Sequence, residues 1–254
     1  MSETSAVVIV GLGEIGKPLC SILAKTYQCI GVDIDPVEAK EPCSVLHICY
    51  PFQIGDFVGT TVSYIGKYHP ELTIINSTVT PGTTRQIQET SRSAVAYSPV
   101  RGKHVRMHED LLRYKKFVAG CDAGSTDAAL EHFSRAGFNT ASLRTPEVGE
   151  LGKLLETTWL GVLIGWAQEA ERFADSFGAS YAEVNTFIEE VEFLPSHIFP
   201  GFIGGHCVMP NIDLLRTRFE SPFLNAIVES NKIKQRQERV AEHEERETTC
   251  RELV

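Results

Sequence analysis

The chain has 254 residues, 43% of them hydrophobic and 22% charged, with 24 Lys and Arg against 33 Asp and Glu and a formal net charge of −9. That length and composition bury a genuine core in one large or two small domains and exclude wholesale disorder, collagen-like repeats and a coiled coil alone. The acidity argues against coating a nucleic acid, which takes a dense Lys and Arg face, so no such partner is expected.

The longest strongly apolar runs, 6–10 and 159–167, fall far short of the ~20 residues that cross a bilayer, and no membrane partner is expected. The opening Met-Ser-Glu-Thr-Ser lacks the basic and apolar segments of a secretory signal. Seven cysteines, at 20, 29, 43, 49, 121, 207 and 250, form no C-x-x-C pair, which suits free thiols in a reducing compartment better than disulfides or zinc. A cytoplasmic protein without a metal site is expected.

In chain order, β-branched runs at 6–10, 29–32, 45–49, 73–76, 94–97 and 116–119 predict strands. Helical patterns at 15–27, 55–68, 83–91 and 125–136 fall between them, the alternation of repeated βαβ units around a parallel sheet. Beyond Pro146 the pattern turns helical: one long helix over 147–177, broken by Gly178, and a second over 181–191 with Ser180 as N-cap. The Gly- and Pro-rich segment 195–210 predicts a loop, and a last helix starts near Ser221 and runs into a charged, solvated tail. The fold class is therefore α/β: a Rossmann-like doubly wound parallel sheet over 1–145, an α-helical domain over 146–240, and a tail over 241–254.

The first strand is followed by Gly11-Leu-Gly13-Glu-Ile-Gly16 and then by an amphipathic helix, the context that gives G-x-G-x-x-G its meaning. Gly11 allows the tight turn, Gly13 lets backbone approach a pyrophosphate, and Gly16 packs helix on strand; the helix N-terminus then meets the anion. Asp33 ends the second strand, seventeen residues after Gly16, where an acid bonds the ribose hydroxyls and repels the extra phosphate of NADP. NAD is the expected cofactor. The alternative is a Rossmann turn that has lost its ligand.

Four further patterns follow: Ser77-Thr78-Val79-Thr80-Pro81-Gly82-Thr83-Thr84, Ser98-Pro99-Val100-Arg101, Glu150-x-x-Lys153 and Gly204-Gly205-His206-Cys207. Their order and spacing, from about Val7 to about Gln235, resemble the UDP-glucose/GDP-mannose dehydrogenase family, and the Gly-Gly-His-Cys variant is most similar to its UDP-N-acetyl-hexosamine branch. The resemblance implies NAD-dependent oxidation of a primary alcohol to a carboxylate in two hydride transfers, with a cysteine holding the aldehyde as thiohemiacetal and then thioester. It assigns catalysis to Cys207, Lys153 and Thr78, and substrate contacts to Glu150, Arg101, Thr157, Asn211 and Asp213. It assigns NAD contacts to Gly11, Gly13, Glu14, Ile15, Gly16, Asp33, Tyr50, Pro51 and Thr78. A small-molecule substrate, nucleotide sugar included, and a homodimer built on the long helix are implied as partners.

Residue chemistry agrees in part. Cys207 lies in a Gly-rich loop and a thiol is the strongest nucleophile available near neutral pH, though an inert core cysteine is the bland alternative. Lys153 shares a helix face with Glu150 and Thr157 and suits oxyanion stabilisation, against a plain surface ion pair. Thr78 stands near the carboxyl edge of the sheet, where a turn-capping hydroxyl is the alternative. The segment from Arg101 to Lys116 holds six Lys and Arg and two His against Glu109 and Asp110, a patch able to hold a carboxylate or phosphate unless it is simply solvated.

The chain also departs from the family pattern. Val100 replaces a Glu, Thr157 an Asn, and Asn211 an Asp. Only nine residues separate Asp35 from Val45, and the sequence stops within the helix that leads into a C-terminal nucleotide-sugar domain in the family. Three readings follow: two-step oxidation through Cys207 on a sugar-derived or small anionic substrate, one-step alcohol dehydrogenation or reduction without a covalent intermediate, and a non-catalytic NAD-binding regulatory or partner protein.

Overall fold

The computed structural model describes residues 5–33, 42–192, 194–195, 198–205 and 207–252, with backbone alone from 242 onward. Strands β1 (Ala6–Val10), β2 (Cys29–Val32), β3 (Cys43–Ile48), β4 (Leu72–Ile75), β5 (Val95–Tyr97), β6 (Lys116–Gly120) and β7 (Thr140–Ser142) form a sheet ordered β2-β1-β3-β4-β5-β6-β7. Neighbours pair in parallel except β5 with β6. Helices α1 (Gly16–Leu23), α2 (Phe57–Tyr68), α3 (Thr83–Ser91), α4 (Met107–Arg113) and α5 (Ala123–Arg135) connect the strands; α6 (Pro146–Ser176), α7 (Tyr181–Glu189), α8 (Val208–Arg216) and α9 (Pro222–Glu252) follow. The α/β class read from the alternating pattern is the one observed.

The sheet is covered on both faces, which is why its strands are nearly continuous apolar runs. Val7 and Ile9 join Val45, Leu72, Ile74 and Phe133 in one core; Val8 and Val10 join Leu46, Ile48, Ile75 and Ile87 in the other. Each buried Val or Ile side chain of β1 contributes about 1.5–3 kcal/mol relative to exposure. The chain divides into two compact units, residues 1–153 and 154–254, with the division inside α6.

Four local expectations are corrected. β7 was not expected, because Thr-Ala-Ser is short and polar and is held by pairing with β6 instead of by its own pattern. The 104–113 segment, expected as part of a charged patch, folds into a 3-10 turn (His104–Arg106) and α4, whose Met107 and Leu111 are buried one turn apart. Helix α1 ends at Leu23 instead of Tyr27. Helix α8 begins inside the segment read as loop: Pro210 is its third residue, where a missing N–H costs nothing because first-turn N–H groups have no partner in the helix.

Candidate functional site

The parallel register aligns the strand ends that carry the expected cofactor residues. Val32, Val10, Ile48 and Ile75 are successive partners across the sheet, so Asp33, Gly11, Cys49-Tyr50 and Asn76-Ser77-Thr78 leave it side by side at its carboxyl edge. Gly11 has φ 92°, and a Cβ there would stand 2.7 Å from the Tyr50 backbone nitrogen; one at Gly16 would overlap the Gly11 carbonyl oxygen. A Cβ at Gly13 meets nothing within 4 Å. Two glycines are thus required by the chain itself, and the middle one keeps an open approach to the backbone. No side chain caps α1 and no acid stands in its first turn, which leaves its N-terminal dipole for an anion. Asp33 and Pro51 are exposed, and Glu14 pairs with Nδ1 of His104.

The Tyr50 hydroxyl lies 2.6 Å from the Thr61 hydroxyl, and burial raises the pKa of this phenol. Ser77 Oγ donates to the Tyr50 carbonyl at 2.6 Å, tying the end of β4 to the end of β3. Thr78 follows, half-buried, three residues past β4.

Behind this edge lies a polar chain that the sequence reading missed. Lys116 is buried; its ammonium donates to the carbonyls of Ser98 at 2.8 Å and Pro99 at 3.0 Å and reaches Asn76 Oδ1 at 3.4 Å. Asn76 Nδ2 meets His47 Nδ1 at 3.1 Å, and His47 Nε2 meets His132 Nε2 at 3.0 Å. Burial pulls the Lys116 pKa down to about 7, opposed by Cys49 and reinforced by Lys153; burial also pulls His132 to about 4, keeps His47 neutral, and pushes the Cys49 thiol up to about 12. A His inside the apolar run of β3 was the available signal.

Glu150 is fully buried and joins two of the motifs. Its carboxylate accepts from Gly82 N at 2.6 Å, Thr84 N at 2.8 Å and Thr84 Oγ1 at 2.6 Å, which caps α3, whose own N-cap is a glycine. Expected among substrate contacts, Glu150 has both oxygens committed to the protein. One turn earlier, Glu147 pairs with Arg85 at 2.5 Å, and that guanidinium holds its carboxyl down at about 2. Lys153, one turn beyond Glu150, is half-buried.

The 101–116 patch is divided instead of continuous. Lys116 is in the core, Arg106 pairs with the buried Asp110 at 3.1 Å, and Arg101 lies 5.6 and 5.5 Å from the ring centroids of Tyr114 and Phe117. Val100, in place of the family acid, packs into the core.

In the second unit, Cys207 directly precedes α8 and is half-buried, while His206 lies outside the described residues, as do Ile34 and Asp35. Two of the family departures meet each other: Asn211 Nδ2 donates to Thr157 Oγ1 at 2.8 Å, and that hydroxyl donates to the Leu154 carbonyl at 3.0 Å. Asp213 pairs with Arg216 at 3.0 Å on an exposed surface. Among the described residues, no group of three or more His, Cys, Asp and Glu is set to hold a metal ion, and no helix is long and apolar enough to cross a membrane.

Comparison with known proteins agrees with these motifs. The sequence profile of the UDP-glucose/GDP-mannose dehydrogenase family, central domain, matches residues 147–233. A UDP-N-acetyl-D-mannosamine dehydrogenase of Methanocaldococcus jannaschii is 25% identical over 80% of this chain and 59% of its own length. Among solved structures, UDP-D-ManNAc dehydrogenase from Pyrococcus horikoshii superposes with a TM-score of 0.78 at 20% identity, over 91% of this chain and 68% of that one. A Mycobacterium tuberculosis 3-hydroxyisobutyrate dehydrogenase superposes with a TM-score of 0.69 at 16% identity, over 92% of this chain and 93% of that one. The likeness to the central domain of the UDP-glucose/GDP-mannose dehydrogenase family thus covers residues 147–233, in a chain that spans about three-fifths of the length of the curated relative above.

Proposed function

We propose that the chain is an NAD-dependent oxidoreductase that oxidises a primary alcohol of a sugar-derived or small anionic substrate, a nucleotide sugar being the first to test. The observation that carries this reading is the β1–α1 turn, closed by backbone at Gly11 and Gly16 and open at Gly13, beside an acid at the end of β2. The residues fit a dinucleotide: Gly13 and the α1 N-terminus suit its pyrophosphate, Asp33 its ribose hydroxyls, and Tyr50, Pro51 and Thr78 its further contacts. Bound NAD supplies the hydride acceptor.

In this reading Lys153 stabilises the alkoxide, and Thr78 orients a water or the substrate hydroxyl. The Cys207 thiolate would add to the carbonyl carbon of the first oxidation product to give a thiohemiacetal, loss of a second hydride to a second NAD would give the thioester, and its hydrolysis would release a carboxylate and free the thiol. Arg101 offers a cation to an anionic substrate. Glu150 acts on α3 and not on substrate. The test is titration with NAD and NADP, then turnover with UDP-N-acetyl-D-mannosamine and other nucleotide sugars. Two NADH per substrate and a trapped Cys207 adduct support the reading; NAD binding without turnover leaves a non-catalytic dinucleotide holder.

A second reading is one-step alcohol dehydrogenation in which Lys153 assists proton transfer and Cys207 takes no part in the chemistry. It is favoured by the end-to-end match of fold with a 3-hydroxyisobutyrate dehydrogenase. One NADH per substrate and an active Cys207→Ser variant would select it.

A homodimer is part of the proposal. Trp159 and Trp166, each 59% exposed, and Phe173 recur along α6 and suit the face of a self-complementary helix contact. Light scattering of Trp166→Glu beside the unaltered protein tests this, with a monomer expected from the variant. Among the described residues none of the six cysteines forms a disulfide, which suits a cytoplasmic setting.

A further inference from the structure

The segment that leads to Cys207 is held by one buried side chain in the manner of a β-ladder. Asn231, on α9, accepts from the Ile203 N–H at 2.8 Å through Oδ1 and donates to the Ile203 carbonyl at 3.1 Å through Nδ2. Gln168, on α6, donates to the Gly201 carbonyl at 2.8 Å and reaches Asn231 Oδ1 at 3.3 Å. Ser230 Oγ donates to Gln168 Oε1 at 3.0 Å and accepts from Arg172 Nη2 at 2.8 Å. Gln168, Ser230, Asn231 and Ile203 are all buried.

The chain of donors has one direction. The Ile203 N–H requires the oxygen of Asn231 toward it, that oxygen orients the nitrogen of Gln168, and the Gln168 oxygen turns the hydroxyl proton of Ser230. Reversing Asn231 would set donor against donor at the Ile203 N–H, and reversing Gln168 would set acceptor against acceptor at the Gly201 carbonyl. Buried amides are costly unless bonded, and three of the bonds end on the backbone of 201–203. Past that anchor come Gly204, whose N–H bonds the Phe202 carbonyl at 3.1 Å, and Gly205 at φ 79°; Cys207 directly precedes α8, whose Asn211 N–H bonds the Cys207 carbonyl at 3.1 Å. Two consecutive glycines leave the thiol's approach without stiffness of its own.

We infer that Asn231, backed by Gln168 and Ser230, is the positioning residue that fixes the 201–205 segment and thereby the place of Cys207. The inference rests on Cys207 being the reacting thiol. It adds to that reading the device that presets the nucleophile on a glycine-rich loop.

The test is iodoacetamide labelling of the whole protein, followed cysteine by cysteine by peptide mass spectrometry, with Cys43 and Cys49 reporting unfolding of the first unit and the fluorescence of Trp159 and Trp166 that of the second. Asn231→Leu is expected to raise the Cys207 labelling rate by about tenfold, the scale of one or two lost bonds, while Cys43 and Cys49 stay as in the unaltered protein. Asn231→Asp supplies a graded control, because a protonated carboxyl reproduces the amide's one donor and one acceptor. Its labelling, relative to the unaltered protein at each pH, is expected near unity in acid and to climb toward the leucine variant as the carboxyl ionises. A Cys207 rate unchanged within about twofold in both variants, or one that rises together with the labelling of Cys43 and Cys49 or with an unfolding change in tryptophan fluorescence, overturns the inference. Turnover of Cys207→Ser is measured separately: if it persists while the labelling responds, the nucleophile reading fails and the anchor stands.

Discussion

Glu150 takes both the N–H and the hydroxyl proton of Thr84, sixty-six residues away in the chain, and so binds the start of α6 to the start of α3. The same carboxylate takes the Gly82 N–H. Two motifs that the sequence offers as separate pieces, Thr80-Pro81-Gly82-Thr83-Thr84 and Glu150-x-x-Lys153, thus share one cap. Helix α3 has a glycine at its N-cap and no capping side chain of its own, and Glu150 supplies the missing acceptor across the fold.

Replacing Glu150 by Gln should destabilise the protein by about 1–3 kcal/mol, because the amide nitrogen turns a donor against N–H groups that need an acceptor. Chemical denaturation measures it. An unchanged midpoint would mean that water fills the role.

The glycine turn should separate folding from binding. Gly13→Ala is expected to leave thermal stability unchanged, since its Cβ enters open space, and to weaken NAD binding by at least about tenfold by filling the pyrophosphate approach. Gly16→Ala is expected to lower stability, because its Cβ overlaps the Gly11 carbonyl. Calorimetric titration of the first variant and a melting curve of the second check the pair.

Lys116 should make stability depend on pH. Its pKa falls from 10.5 to about 7 on folding, so between those values the unfolded chain binds more protons. Stability therefore rises with pH from about 7, by at most ~1.4 kcal/mol per pH unit. The rise is clearest below pH 9, the ordinary value of thiols such as Cys49, whose raised pKa works in the opposite sense above it. His132, drawn from 6.5 to about 4, contributes stability that is lost as pH falls through that range. Urea midpoints of Lys116→Met against the unaltered protein at several pH values isolate the lysine: the slope between pH 7 and 9 should vanish in the variant, and its persistence would assign it elsewhere.

The Asn211 to Thr157 bond invites a double-mutant cycle. Thr157→Val and Asn211→Leu should each destabilise, and the pair together by less than their sum, with a coupling of about 0.5–1.5 kcal/mol. Strict additivity would show that the two substitutions of the family pattern are independent.

Sequence alone determined the alternation of strands and helices, the Gly11-Gly13-Gly16 turn with Asp33 after it, and the motifs whose order carries the family resemblance, because these are local facts of backbone freedom, periodicity and spacing. It also set the α3 boundaries, 83–91, as observed. Packing alone decided which polar groups meet. Lys116 counts as one more cation in a basic run until β6 carries it under Phe133 and against the Ser98 carbonyl. Pro210 looks like a loop marker until it is placed in the first turn of a helix. Glu150 resembles a ligand-facing acid until α3 presents three donors to it. A sequence displays what each residue can donate, accept or bury, while its partner is fixed by distances between segments tens of residues apart, and those exist only once the core has closed.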